Sequence, residues 1–398
     1  MIEPFNFQKE SSEDLDLLAY QQLLPNRQAR IDAAPANPPA MPYINSLTKS
    51  MKPARQYLKV AAVTEVAPDI KCFRLEAKEG ELAYFRAGQY LSFFLEIDDA
   101  KLTRPYSITS SPMDAKEGFY EVCIKNTGAF ATKWIFENWV EGAEVVCSAP
   151  AGRFYYELAR DAAHVIGVAG GMGITPLRSI ARAIAQGTLD ISMTLIYGCN
   201  TAAEMLFAEE LRGYEADGRF KLIYVVADED VEGAERGFVT AELLKKYADV
   251  DESSVFVCGP QAMYRYLSDE FAPLGLTPKT FRQELFGEIR EVVACEGYPA
   301  GKETETHTIT VTMGFETYKV PALGSETVLV AMERAGLNPP SKCRSGECGY
   351  CRSLMTAGAV YVPPEEEMRR MADRTTGQIH PCCSFPLEDI ELTVPRAK

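Results

Sequence analysis

The sequence predicts a multidomain protein in which an antiparallel β-barrel is followed by a doubly wound α/β domain and then by a small α+β unit. Three observations carry this. The 398 residues exceed what one ordinary core holds and suggest two or three domains of about 100 to 150 residues each. Near residue 160 the pattern changes, from short runs broken by turn residues to apolar runs alternating with helical segments. Towards the C-terminus cysteines crowd together, three of them within nine residues.

Residues 1–53 read as an N-terminal extension, with a helix over Glu13 to Ala34 and a Pro-rich arm through Pro35, Pro38, Pro39, Pro42 and Pro53. Residues 54–157 hold runs rich in Val, Ile, Phe, Tyr and Thr: Leu58 to Val66, Ile70 to Glu76, Tyr90 to Glu96, Phe119 to Lys125 and Glu144 to Ser148. Pro, Gly and Asp break them, which is the pattern of an antiparallel barrel. In residues 158–287 the apolar runs Ala163 to Ala169, Met193 to Tyr197, Lys221 to Ala227 and Ser254 to Cys258 alternate with helical segments such as Thr175 to Ala185, which argues for a parallel sheet. A polar stretch within 288–304, with Gly297, Pro299 and Gly301, reads as a linker, and 305–398 as the α+β unit. There is no internal repeat.

The composition, 46% apolar and 24% charged, is that of an ordinary globular protein. A net charge of -15 argues against nucleic-acid binding, which needs clustered Lys and Arg. It fits either a solvated surface or the steering of a basic partner. No apolar run approaches the roughly 18 residues of a membrane span, and Met1 to Asp16 lacks the apolar stretch of a signal peptide. The expected address is the cytoplasm, where the eleven cysteines would be thiols or metal ligands. With only His164, His307 and His380 available, His-based hydrolysis is not expected.

Cys343, Cys348 and Cys351 stand in the spacing C-x4-C-x2-C, with Cys382 and Cys383 about thirty residues later, the plant-type ferredoxin arrangement for a [2Fe-2S] cluster. Gly346 and Gly349 give the loop a backbone able to wrap the irons closely. Zinc is the alternative, but it usually takes paired C-x2-C motifs or histidines, and only His380 is near. In extended backbone adjacent side chains face opposite ways, so only one of Cys382 and Cys383 would reach an iron.

Arg104-Pro105-Tyr106-Ser107 reads either as a strand entering a turn or as a flavin site. In the second case Arg104 neutralises a diphosphate, Tyr106 stacks on or bonds the flavin, and Ser107 lies near the redox-active N5. Gly128-Ala129-Phe130-Ala131-Thr132 then opens a helix, either as a simple cap or as a diphosphate seat. Gly170-Gly171-Met172-Gly173-Ile174-Thr175-Pro176 turns from strand into helix, where backbone amides can approach a pyrophosphate. It is not the G-x-G-x-x-G fingerprint. Tyr197-Gly198 and Cys258-Gly259-Pro260 end two further strands at the edge where such sheets bind ligands. Thr175 and Cys258 are the residues expected to shape a nicotinamide pocket.

In this order the motifs closely resemble the ferredoxin reductase superfamily, in the group arranged flavin, NAD, [2Fe-2S], over residues 55 to 398. Phenylacetyl-CoA oxygenase, ketosteroid hydroxylase and phthalate dioxygenase reductases are of this kind. The resemblance implies a flavin-binding barrel, a doubly wound NAD-binding domain and a C-terminal β-grasp ferredoxin domain. It implies hydride transfer from NAD(P)H to flavin near Ser107, then single electrons through the cluster to a redox partner such as an oxygenase. The segments Gly128 to Trp134, Ala149 to Phe154 and Gln283-Glu284-Leu285-Phe286-Gly287 resemble the FAD rather than the FMN group. Phe286 would then lie against the flavin ring or, alternatively, be a junction core residue; Ile124 and Lys125 join the flavin set. The register of the relatives makes Cys382 the fourth ligand. After Tyr197-Gly198-Cys199-Asn200-Thr201 no Arg is available for a 2'-phosphate, which leans towards NADH over NADPH. The rival readings are an electron-transfer subunit like that of dihydroorotate dehydrogenase, whose fourth cysteine follows much closer, and a redox-responsive binding module without turnover.

Overall fold

The computed structural model describes residues 12–33, 51–285, 287–289 and 291–396. The chain divides into two units, Met1–Ser50 and Met51–Lys398. In the first, helix α1 (Ser12–Asp32) lies where a helix is expected. The Pro-rich stretch 34–50 falls outside the described residues.

The second unit begins with strands β1 (Gln56–Ala67), β2 (Ile70–Ala77), β3 (Tyr90–Ile97), β4 (Ala100–Ser107), β5 (Phe119–Lys125) and β6 (Glu144–Cys147), in the antiparallel order β4-β3-β6-β1-β2-β5. A bridge between Ile108 and Val122 joins the two ends and closes the barrel. At the start of β1, buried Gln56, Leu58 and Val60 alternate with exposed Tyr57 and Lys59, the period of a half-buried strand. Helices α2 (Pro112–Lys116) and α3 (Phe130–Asn138) cover the barrel, whose core includes Phe73 and Phe93 packed at 5.3 and 4.9 Å on the Trp139 ring. Cys72 and Cys123, directly opposite on β2 and β5, form a disulfide. That departs from the expectation of thiols throughout, because the strand register alone brings these two side chains together.

Next come β7 (His164–Gly170), α4 (Ile174–Ala185), β8 (Ser192–Cys199), α5 (Ala208–Gly213), β9 (Phe220–Val226), β10 (Glu235–Arg236), α6 (Ala241–Tyr247), β11 (Ser253–Cys258), α7 (Gln261–Phe271) and β12 (Phe281–Glu284). The strands are parallel in the order β10-β9-β8-β7-β11-β12. Each face has its own core: Val165, Leu195 and Tyr197 pack with Leu177 and Ile180 of α4, while Ile166, Val168 and Ile196 pack with Leu244 and Leu267 of α6 and α7. A sheet buried on both sides needs continuous apolar runs, which is why these strands stand out in the sequence. The strand order reverses between β7 and β11, and that crevice is where such sheets take ligands.

The last part comprises β13 (Thr306–Met313), β14 (Glu316–Leu323), helix α8 (Val328–Arg334), β15 (Ser353–Ala357), β16 (Val360–Tyr361), helix α9 (Met371–Thr375), β17 (Gln378–Ile379), β18 (Phe385–Pro386) and β19 (Ile390–Thr393). A mixed sheet runs β14-β13-β19-β15-β17, and β16 pairs with β18. The stretch read as a linker is anchored here: Ile289, Val292 and Cys295 are buried together with Phe385. Among the described residues no helix is long and apolar enough to cross a membrane.

Because residues 1–50 form a unit apart, a chain beginning at Met51 is expected to hold flavin and iron at the same ratio as the full chain. Visible absorption and iron content check this; loss of either would make the extension part of the core.

Candidate functional site

Strand β4 is at one end of the barrel ladder, so Pro105, which lacks an N-H, is tolerated there. The register sets Arg104, Pro105, Tyr106 and Ser107 opposite Phe93, Ser92, Leu91 and Tyr90. Burial pushes the Tyr106 phenol up to about 12, so it stays neutral and able to donate. Arg104 Nη1 donates to the Thr103 carbonyl at 2.9 Å and lies 3.7 Å from Glu333. Gly128 has φ of 73°, where a glycine is needed, and α3 has no side-chain cap, so its first amides remain available to an anion. Ala131 and Ile124 are buried, the Thr132 hydroxyl donates to the Ala129 carbonyl at 3.0 Å, and exposed Lys125 pairs with Asp69 at 3.2 Å. Phe286 lies outside the described residues.

The second group sits at the crevice. Cys258 pairs with Ala169 across β11 and β7, which puts Gly259 and Pro260 beside Gly170 and Gly171. A Cβ on Gly173 would run into the Cys258 carbonyl, and one on Gly170 or Gly259 into the Met263 sulfur. These glycines let the two strand ends approach, leaving Ile174, Thr175 and Pro176 buried in the first turn of α4, also without a side-chain cap. The Tyr197 hydroxyl braces the turn, 3.1 Å from the Gly171 carbonyl. Thr175 donates to the Met172 carbonyl at 2.9 Å, and burial pushes the Cys258 thiol well up, so it stays protonated. A Cβ on Gly198 would lie 3.5 Å from the Ala169 carbonyl, and the Asn200 amide donates to Glu204 at 2.9 Å.

The cysteine loop is the third group. Cys351 and Cys382 sulfurs lie 3.5 Å apart, and Cys343 bonds with both Cys348 and Cys382. Amides point at sulfur: Gly346 to Cys382 at 3.3 Å, Cys348 to Cys343 at 3.4 Å, Tyr350 to Cys348 at 3.4 Å. A donor set of four thiols wrapped by amides suits a [2Fe-2S] cluster. Gly346 is at φ 78°, and a Cβ there would meet the Glu366 carbonyl and the Cys383 sulfur. His380, the nitrogen ligand that zinc would have used, bonds the Gly346 carbonyl through Nδ1 at 2.7 Å. Cys382 and Cys383 lie in one 3-10 turn rather than in extended backbone; the Cys383 thiol donates to the His380 carbonyl at 3.5 Å and is also within hydrogen-bonding reach of the Cys382 sulfur.

Residues that sequence reasoning missed join the three groups. Ser107 pairs with Tyr90, whose ring a Cβ on Gly152 would strike; that Cβ would lie 3.3 Å from Glu284 Oε1. The Cys258 thiol faces the Glu284 carbonyl at 3.9 Å. Burial, with Glu347 of the cysteine loop adding to it, pushes the Glu284 carboxyl well up, so a neutral acid stands where flavin strand, nicotinamide turn and cysteine loop meet. Glu284 was visible in its motif, but its burial was not. Burial, with Cys343 and Cys348 adding to it, pushes the Tyr90 phenol well up, and Ser92 donates to the Lys342 carbonyl at 3.5 Å. Helix α4 is tied to the segment after β4: Arg178 donates to Thr109 at 3.2 Å and pairs with Glu121 and Glu210, while Ser179 donates to the Ser110 carbonyl at 2.6 Å.

Comparison with known proteins assigns the same three parts. Residues 57–156 match the oxidoreductase FAD-binding domain, 168–269 the oxidoreductase NAD-binding domain, and 316–387 the 2Fe-2S iron-sulfur cluster binding domain. The chain is 25% identical over 360 residues to the glycine betaine monooxygenase reductase subunit of Pseudomonas aeruginosa, covering 87% of this chain and 97% of that one. It is 27% identical over 315 residues to the ferredoxin reductase component of 3-ketosteroid-9-alpha-monooxygenase from Mycobacterium tuberculosis, covering 78% and 85%. The solved structure of phthalate dioxygenase reductase shares the fold, with a TM-score of 0.62, 24% identity, and coverage of 86% of this chain and 98% of that one.

Which of the two adjacent cysteines completes the donor set has a direct test. Cys382→Ala is expected to lose the visible absorption and EPR signal of the cluster while keeping flavin, and Cys383→Ala to keep both. A cluster lost only with Cys383 would move the fourth ligand by one position.

Proposed function

We propose that the chain, a three-domain flavin, NAD and [2Fe-2S] reductase of the ferredoxin reductase superfamily, is the reductase component of an oxygenase system and works through the residues grouped above. What supports the reading is the convergence of Ser107, Cys258 and the loop of Cys343 and Cys348 on Tyr90, Gly152 and Glu284. The domain limits proposed are 54–157, 158–287 and 305–398, with 288–304 between them.

FAD, when bound, takes a hydride as two electrons and releases them singly, which suits a cluster that carries one at a time. The residues supply position and electrostatics. Arg104 and the start of α3 hold the diphosphate, Tyr106 bonds the flavin as a neutral donor, and Ser107 stands by the reacting edge. The turn Gly170–Pro176 seats the pyrophosphate of the nicotinamide cofactor, with Gly198 and Asn200 on its adenosine side. Thr175 and Cys258 line the nicotinamide pocket; a protonated thiol and a satisfied hydroxyl shape it without competing for the hydride. Cys343, Cys348, Cys351 and Cys382 hold the irons. The relatives that serve monooxygenases favour an oxygenase as acceptor, and the chain's lack of any long apolar helix among the described residues suits a cytoplasmic enzyme.

Anaerobic mixing with NADH tests the reading: flavin absorption should bleach first, and the EPR signal of a reduced cluster should follow. Bleaching without a cluster signal would remove the electron-transfer role. The edge of β8 adds a second expectation. Glu204 caps Asn200, and Glu229 bonds the Ala202 amide, so acid rather than Arg meets an incoming 2'-phosphate. We expect kcat/KM for NADH to exceed that for NADPH by about tenfold or more, at least about 1.4 kcal/mol of discrimination. Equal or reversed values in steady-state kinetics would refute it.

A further inference from the structure

Arg344 follows the first cluster cysteine and is wholly buried, with φ of 61°. Its guanidinium leaves the cysteine loop. Nη1 donates to the Thr103 carbonyl at 3.1 Å, and Nη1 and Nη2 grip Glu333 of α8 at 2.5 and 2.8 Å. Nη2 also pairs with Glu288, from the segment that follows the nucleotide sheet. Thr103 directly precedes Arg104, which lies 3.7 Å from the same Glu333. Two arginines and two glutamates therefore balance across the seam between barrel and ferredoxin sheet. The network touches the residue next to a cluster ligand at one end and the residue next to the flavin motif at the other.

We propose that Glu288, Glu333 and Arg344 form a latch that holds the cluster loop against the flavin strand and so sets the rate at which electrons cross from flavin to cluster. This rests on the reductase reading given above. The step itself is a one-electron transfer in which the flavin is oxidised, the cluster is reduced, and no bond is made. Its rate depends on the separation of the two groups, so a lever one residue from each acts on the rate. Stability alone is a poor account of the network, because apolar packing of the same volume does as well as buried ion pairs or better. What charged, bidentate groups add is a single fixed geometry. Glu288 and Glu333 are positioning residues: neither belongs to the flavin, nicotinamide or cluster sets.

Glu333→Gln and Glu288→Gln test the latch in the full, cofactor-loaded chain. Each keeps shape and removes one negative charge. Stopped-flow mixing with NADH separates flavin bleaching from cluster reduction, and EPR and iron analysis report cluster content. The expected result is an unchanged hydride step, full cluster content, and cluster reduction slowed several-fold or more. A change in driving force would act the other way, since removing negative charge favours the incoming electron; a redox titration of the cluster reports it. Native rates of cluster reduction in both variants would overturn the proposal, as would equal slowing of both steps. If Glu333→Gln fails to fold, Glu288→Gln decides, and loss of the cluster in that variant as well would show a structural role only. A wild-type cluster that NADH does not reduce would instead refute the reductase reading itself.

Discussion

One buried cation sets how the nucleotide sheet meets the barrel. Arg178, on the buried face of α4, bonds Thr109 two residues beyond the flavin motif and is held by Glu121 of β5 and Glu210 of α5. Burial alone would lower its pKa, but the two carboxylates outweigh that and raise it. Removing one member of such a buried set costs about 3 to 5 kcal/mol, because the charge left behind stays unpaired. The helix that begins at the glycine turn is thus fixed against the strand that carries Ser107.

The other seams use the same device. Arg282 of β12 is paired with Asp161 and donates to the Arg153 carbonyl at 2.8 Å, which ties the last strand of the nucleotide sheet to the segment leaving the barrel. Arg182 donates to Asp114 at 3.1 Å, adding to the grip of α4 on α2. In the cysteine loop the constraint is backbone instead: Gly346 and Gly349, at φ of 78° and 63°, turn the chain so that amides face the sulfurs.

The barrel, the doubly wound sheet and the cysteine loop were legible because each imposes a local rule. Strands of a half-buried barrel alternate, strands of a parallel sheet run apolar, and an iron-sulfur loop fixes cysteine spacing. The helix at 12–32 and the glycine turn could be read for the same reason. Residues whose importance comes from long-range contacts could not. Arg178, Arg282 and Arg344 look like surface charges in sequence, and each is buried by a partner dozens of residues away. The cross-strand pair Cys72 and Cys123 needed the register of β2 and β5, and the neutral state of Glu284 needed its burial. The expectation that extended backbone would part Cys382 from Cys383 does not hold, since both lie in one tight turn with their sulfurs within reach of each other.

Seams made of charge follow from how such a chain has to be built. Each of the three larger sheets carries an apolar core, and only a few barrel-side residues, Ile70, Ala87 and Phe154 among them, pack into the core of the nucleotide sheet. Had the faces between them been wholly apolar, they would have been exposed whenever the parts stood separate during folding, and would have invited misassembly. Arginine and carboxylate pairs avoid that, because they are hydrated when apart and bond in one geometry when together. The surface excess of acid, -15 overall, sits outside these seams, where arginines and carboxylates are brought close to balance. A protein that must hold two redox groups close together, on domains with separate cores, gains more from the direction of such contacts than from their strength.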